Sequence, residues 1–267
     1  MNVNNLKKIL SIPTYSGYEF LLKEYVISFC KDNDYLIELD SKGNVYITKG
    51  VLDDGEYYPC VSAHLDSVYE NQIKLIINGG SLNIKETLIN NDIKLSNDLG
   101  IGGDDKCGVF ICLELLLKLD KLKVILFVEE ECGCYGSKNS NKNMFLDVGY
   151  VIEFDAPTND WCSLSCSGVD LFNYCSFELI KPILNKYNIY NFSVDPYTDV
   201  AVLRRLYNIS CFNFFSGYYN QHRGSNEYVM VNDVKKALNM GYEIIQVIGN
   251  NLLFFEKDVI KNKIINK

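Results

Sequence analysis

Apolar positions recur every three or four residues over residues 3–11 (Leu6, Ile9, Leu10) and 16–31 (Leu21, Leu22, Tyr25, Val26, Phe29). This spacing predicts two helices broken by Pro13 and Gly17. The period then shortens. Tyr35 to Leu39 and Asn44 to Thr48 are β-prone runs on either side of Asp40-Ser41-Lys42-Gly43, and predict a strand pair joined by a turn. Tyr58 to Ala63 is apolar throughout and ends in His64-Leu65-Asp66, as a buried strand delivering polar groups at its carboxyl end would. Residues 72–97 alternate through Ile73, Leu75, Ile77, Leu82 and Ile84 around Asn78-Gly79-Gly80, which predicts β-ribbon excursions. Val109 to Leu117 predicts a helix, with Asp104 and Asp105 in its first turn.

Two further apolar runs repeat the strand pattern. Lys123 to Val128 ends in Glu129-Glu130-Glu131, and Tyr150 to Phe154 ends in Asp155. Beyond them the pattern predicts a strand-like stretch over Cys162 to Phe177, a helix over Glu178 to Tyr187 and a strand over Asn191 to Val194. A helix over Thr198 to Leu206, a buried strand over Ile209 to Phe215, a loop over Ser216 to Glu227 and a long amphipathic helix over Val231 to Leu253 complete it. The tail Lys257 to Lys267 alternates basic and apolar residues and is expected to fray. Apolar strands alternating with helices predict an α/β fold of three layers, α/β/α, with a mixed and mostly parallel central sheet. In such sheets ligands gather outside the carboxyl ends of the strands. A single domain over residues 1–267 is the expectation, with no internal repeat or linker visible.

Composition adds limits. The chain has 267 residues, 48% of them hydrophobic, enough for a substantial core. Its formal charge of −8 and the absence of any basic cluster longer than Arg204-Arg205 argue against nucleic acid as a partner. The acidity fits either a solvated surface or a site that holds cations. Neither a signal peptide nor a membrane span is expected from the N-terminal residues, so the cytoplasm is the expected location. Ten cysteines, most inside apolar runs, fit reduced buried thiols. Cys132-Gly133-Cys134 with Cys162 and Cys166 is a weaker alternative, a four-thiolate zinc site without the usual spacing.

Candidate chemistry centres on the only two histidines, His64 and His222. A metal-binding imidazole needs its second nitrogen oriented, and Asp66, two residues along an extended segment, could do that for His64. A lone histidine at a strand end is more often a hydrogen-bonded structural residue. Similarly, Gly102-Gly103-Asp104-Asp105-Lys106-Cys107-Gly108 could be no more than an acidic helix start, which the backbone dipole favours. Taken together, Asp104, the Glu129 to Glu131 cluster, Asp155 and the two histidines offer ligands from separate loops in the number that two divalent ions need when one carboxylate bridges them. A spare glutamate beside a ligand glutamate would take a proton from the attacking water and pass it to the leaving amine.

His64-Leu65-Asp66, Gly102 to Gly108, Glu130-Glu131-Cys132-Gly133 and Gly217-Tyr218-Tyr219-Asn220-Gln221-His222 together resemble, in order, the motifs of the co-catalytic di-zinc exopeptidases. The resemblance is strongest to the tripeptide aminopeptidase (peptidase T) branch, and the run from Thr198-Asp199 to His222 adds to it. It implies that Asp104 bridges two metals across a cis Asp104-Asp105 peptide, with His64 and Asp155 on one metal and Glu131 and His222 on the other. It implies Glu130 as general base and Asp66 as the partner of His64. The triple glutamate leaves the register open by one residue, and the family spacing selects Glu130 and Glu131. The implied cofactor is a pair of divalent ions, zinc first, with cobalt or manganese admitted by the same ligands.

One departure stands out. Peptidase T members insert a lid domain between the segments resembling Asp155 and Thr198-Asp199, and here only 42 residues intervene. The lid normally supplies a histidine to the oxyanion and an arginine to the substrate carboxylate. A metal, Tyr218, Tyr219 or a backbone N–H would have to serve the oxyanion, and Arg204 and Arg223 are candidate carboxylate anchors or ordinary surface or supporting residues. The expected function is an aminopeptidase acting on short peptides, with another amide hydrolase (an N-acyl amino acid deacylase or a carboxypeptidase) or an inactive binding protein as alternatives. The oligomeric state is not legible.

Overall fold

The computed structural model describes residues 1–195 and 197–253, so the tail reading lies outside the described residues. Helices α1 (Val3–Leu10) and α2 (Phe20–Asp32) open the chain, the first capped by the Asn2 side chain. Strands β1 (Leu36–Leu39) and β2 (Val45–Lys49) pair antiparallel across a turn in which Asp40 Oδ1 accepts from the backbone N–H groups of Lys42, Gly43 and Asn44. Strand β3 (Tyr58–His64) is buried from end to end.

The stretch after it corrects the sequence reading. Ile73–Ile77 forms a short helix, α3, and only β4 (Lys85–Ile89) and β5 (Asp92–Ser96) make the ribbon. Five apolar-rich residues cannot distinguish a period of two from one of 3.6. The turn of the ribbon is Asn90-Asn91, both at positive φ, as a two-residue hairpin loop requires.

Helix α4 (Gly103–Lys118) and strand β6 (Leu122–Phe127) follow, then α5 (Tyr135–Lys138) and β7 (Val148–Ala156). Next come β8 (Trp161–Cys166) and β9 (Val169–Asp170). The strand-like stretch expected up to Phe177 ends early, because the Asn173 side chain accepts from the Ser176 N–H and starts α6 (Tyr174–Lys186). Strand β10 (Asn191–Asp195), α7 (Asp199–Tyr207), β11 (Cys211–Phe215), β12 (Tyr218–Tyr219), β13 (Tyr228–Met230) and α8 (Val231–Ile248) complete the order.

The central sheet runs β1-β2-β6-β3-β7-β11-β8-β10, with β9 on β8. Its middle strands β6, β3, β7 and β11 are parallel, and antiparallel pairings flank them. Along β7, Phe154 meets α8, where a Cβ on Gly241 would lie 2.4 Å from its ring, while Glu153 turns the other way to the start of α7. Neighbouring strand residues face opposite sides. Helices therefore cover both faces, α4 and α8 on one and α7 on the other. A second sheet, β12-β13-β5-β4, sits beside the first and depends on a pairing between segments more than 130 residues apart that local pattern could not indicate.

Among the described residues, the segment between Asp155 and Thr198 holds no inserted lid. It builds β8, β9, α6 and β10, which extend the central sheet, and α6 packs on α8. No helix among the described residues is long and apolar enough to cross a membrane. The ten cysteines are all free, and none belongs to a cluster able to hold a metal among the described residues.

Candidate metal centre and active site

Parallel strands deliver the site to one edge of the sheet. His64 ends β3, Glu130 and Glu131 lie just past β6, and Asp155 sits near the end of β7. Asp104 enters from the loop before α4. Asp104 and Asp105 do not have helical backbone angles, and the peptide between them is cis. Of the two aspartates, Asp105 caps the helix start: its Oδ1 accepts from the Gly108 N–H at 3.0 Å while Oδ2 accepts from the His64 N–H at 3.3 Å. A side chain at position 108 would put its Cβ 2.4 Å from the Asp105 carboxylate, so the motif needs glycine there. Helix capping thus explains the second aspartate and not the first.

Asp104 turns its two oxygens to different histidines. Oδ1 is 3.0 Å from His64 Nε2, and Oδ2 is 3.3 Å from His222 Nε2. Asp155 Oδ1 lies 3.6 Å from His64 Nε2, and Glu131 Oε1 lies 2.8 Å from His222 Nε2. The two stations share one carboxylate, with one further acid on each side. Imidazole nitrogen and carboxylate oxygen are the donors that borderline and hard divalent ions take. Ligand atoms of His64, Asp104 and Glu131 lie within 4.8 Å of one another, as do those of His64, Asp105 and Asp155. The residues therefore fit a divalent-metal centre.

The electrostatics point the same way. Asp66, Asp104, Asp105, Glu130, Glu153, Asp199 and Glu227 are all buried. Burial pushes Asp155 and Asp105 well above the usual carboxylate range and raises Glu131 to about 7. Hydrogen bonds that His222 donates to Asp104 and Glu131 push it up to about 10. For His64, burial alone would lower the value, but Asp104, Asp155 and Asp66 outweigh it. Without cations, protons are the only countercharge this much buried acid can recruit. Lys106 offers little, because its side chain donates to the Leu10 and Ile12 carbonyls and burial lowers it to about 7.

Asp66 has a wider part than orienting His64, whose Nδ1 it faces at 3.3 Å. Its Oδ1 accepts from the Glu130 N–H, and its Oδ2 accepts from the Glu131 N–H and the Ser16 hydroxyl. Glu130 is buried beside the stations, raised by that burial, and accepts from the Cys134 thiol at 3.2 Å on Oε1. Glu129 lies beside Gly17, outside the cleft that Glu130 and Glu131 line.

That cleft has a volume of about 300 Å³. Asp104, Glu130, Glu131, Asp155 and His222 form its acidic side; Pro157, Trp161, Tyr197, Tyr218 and Gln221 form the rest. Tyr218 is buried and donates to Asp155 Oδ1 at 3.3 Å. Its neighbour Tyr219 points elsewhere, donating to Asp233 and stacking on Tyr228, because successive residues of a strand alternate. Arg204 sits on α7 with Nη1 bonded to Asn208, and Arg223 is exposed on the loop after His222. Neither lines the cleft, and among the described residues no lysine or arginine does.

Several contributors escaped the sequence reading. Glu227 is fully buried and accepts from the N–H groups of Gly102 and Asp104 and from the Tyr69 hydroxyl, so it clamps the loop that carries Asp104. Its sequence signal was faint: one acid five residues after His222, before a strand. Glu153 accepts from the Thr198 hydroxyl and the Val200 N–H, and so ties α7 to β7 under the site. Trp161 and Tyr197 carried no motif at all.

No family model matches the chain. The cytosol non-specific dipeptidase of Escherichia coli (strain K12) is 26% identical over 167 residues, which are 60% of this chain and 34% of the dipeptidase. The chain thus spans about a third of the length of that curated relative. The structure of aminopeptidase PepT from Bacillus cereus superposes with a TM-score of 0.74 at 14% identity, covering 92% of this chain and 97% of the other. A tripeptidase structure from Staphylococcus aureus gives a TM-score of 0.75 at 12% identity, with coverages of 92% and 97%. The chain shares its overall fold with these two peptidase structures. Within that fold the strand ends that carry His64, Glu130, Glu131 and Asp155, and the cleft beside them, lie at the carboxyl edge of the parallel strands.

Proposed function

We propose that the chain is a metal-dependent exopeptidase that removes the N-terminal residue of short peptides, working as a single catalytic domain. The observation that carries this reading is the shared carboxylate of Asp104, one oxygen toward each histidine. His64, Asp104 and Asp155 would hold one divalent ion, and Asp104, Glu131 and His222 the other, with zinc the first candidate. When bound, such a pair supplies Lewis acidity toward the scissile carbonyl and the attacking water. Glu130 takes the proton of that water and hands it to the leaving amine, a task suited to a buried carboxylate whose proton affinity burial has raised. Asp66 keeps Glu130 and Glu131 in place through their backbone N–H groups.

The choice of an aminopeptidase over a carboxypeptidase or deacylase rests on charge. Both alternatives must hold a substrate carboxylate, for which a guanidinium or ammonium is the usual partner. Acids and aromatics line the cleft, and Lys138, bonded to the Tyr197 hydroxyl, lies outside the lining, so the lining itself favours a free ammonium group. A cytoplasmic location accords with free thiols and with the cytosolic dipeptidase among the relatives.

The test is the Glu130→Gln variant assayed on free-amine and N-blocked dipeptides. Turnover of free-amine substrates is expected to fall by about 10²–10⁴-fold with metal content unchanged. Parent-level turnover in the variant would remove Glu130 from its role. Cleavage confined to N-blocked substrates would replace the aminopeptidase by a deacylase, and no cleavage of either by the parent enzyme would favour a binding protein.

A further inference from the structure

The far wall of the cleft differs from its metal-facing side, and its position is set by the fold. Strand β8 runs antiparallel to β11, so its first residue, Trp161, returns to the edge where β7 and β11 end. Pro157 and Trp161 flank the short connection from β7, which is pinned where the Thr158 N–H donates to the Tyr218 carbonyl. Tyr197 precedes Thr198, whose hydroxyl is held by Glu153, and this brings the ring to the same cleft. Three ring-bearing residues from two connections therefore form one wall.

Resting on the aminopeptidase reading above, we propose that this wall selects substrates whose N-terminal residue carries a large, uncharged apolar side chain, packed against Pro157, Trp161 and Tyr197. The surrounding charges exclude the other classes. An aspartate or glutamate side chain would enter beside Asp104, Glu130, Glu131 and Asp155. A lysine or arginine side chain would approach Lys138, whose ammonium lies 3.4 Å from the Tyr197 hydroxyl and 5.5 Å from its ring centroid. A small side chain would leave the rings in contact with water and gain little of the burial they offer.

The chain carries its own reporter, because Trp161 is its single tryptophan. The experiment titrates the zinc-loaded full-length Glu130→Gln variant, which binds without turning over, with the amides of phenylalanine, leucine, alanine, aspartate and lysine while recording tryptophan emission. Phenylalanine and leucine amides are expected to bind at least about tenfold more tightly than the other three, each shifting or quenching the emission. Adding Tyr197→Ala to this variant should weaken phenylalanine amide severalfold and leave alanine amide within about twofold. Aspartate or lysine amide binding as tightly as phenylalanine amide, phenylalanine amide binding without a change in Trp161 emission, or failure of every amide to bind would each overturn the inference. Since the ranking is read from binding, it is separable from the activity: a parent enzyme that cleaves free-amine peptides with no preference for the first residue sinks the inference alone.

Discussion

The two histidine stations are built to different standards. His64 is 1% exposed, sits at the end of a buried strand, and has its second nitrogen facing Asp66, which is itself fully enclosed. His222 is 45% exposed, lies on a loop at positive φ, and among the described residues pairs with Asp104 and Glu131. Asp104 belongs to both. One half of the site is therefore a product of the folded sheet, while the other is completed by a loop that Glu227 fastens from behind. A preorganised station should hold its ligand geometry in the metal-free protein, and a loop-borne one should be ordered by the ion it binds.

The largest effects come from cutting each station separately. His64→Ala leaves Asp66, Asp104 and Asp155 buried around a void, and is expected to cost about 3–5 kcal/mol of stability and both metal sites. His222→Ala removes an exposed side chain and should cost under about 1 kcal/mol while halving the metal content. Thermal melts with elemental analysis of both variants check this. Equal destabilisation would show that the stations do not differ as described.

A smaller effect sharpens the comparison at the join. Glu227→Gln keeps the size of the side chain but replaces one of its two accepting oxygens by an NH₂ group, so the contacts with Gly102, Asp104 and Tyr69 cannot all persist. Zinc affinity should fall by about 10–100-fold at both stations, since both depend on Asp104. Loss confined to one ion in a competitive-chelator titration would mean that the clamp serves only its own loop.

The smallest effect tests the residue beside His222. Arg223→Ala should change the KM for short peptides by less than about twofold, because the guanidinium is exposed and outside the cleft. A tenfold rise in KM would return it to the role of carboxylate anchor that its sequence position suggested.

The same contrast explains which features were legible in the sequence. Runs such as Tyr58 to Ala63 and Tyr150 to Phe154 announce buried parallel strands, and such strands bring the residues at their carboxyl ends to one edge, so the convergence of His64, the glutamates and Asp155 could be anticipated from local pattern. Contributions that depend on distant pairing could not. Glu227 matters only because β13 pairs with β5 and brings its loop under Gly102. Trp161 reaches the cleft only because β8 reverses direction against β11. Arg204 and Tyr219 went the other way: plausible by type and neighbourhood, they are turned aside by helix and strand geometry that one residue of phase decides.

The central claim is that Asp104 joins two cation sites, one on each histidine. Zinc-edge anomalous diffraction from crystals of the zinc-loaded full chain tests it most directly. The account predicts two peaks about 3.5–4 Å apart, one within bonding reach of His64, Asp104 and Asp155, the other within reach of Asp104, Glu131 and His222. A single peak, or two peaks that do not share Asp104, would contradict it.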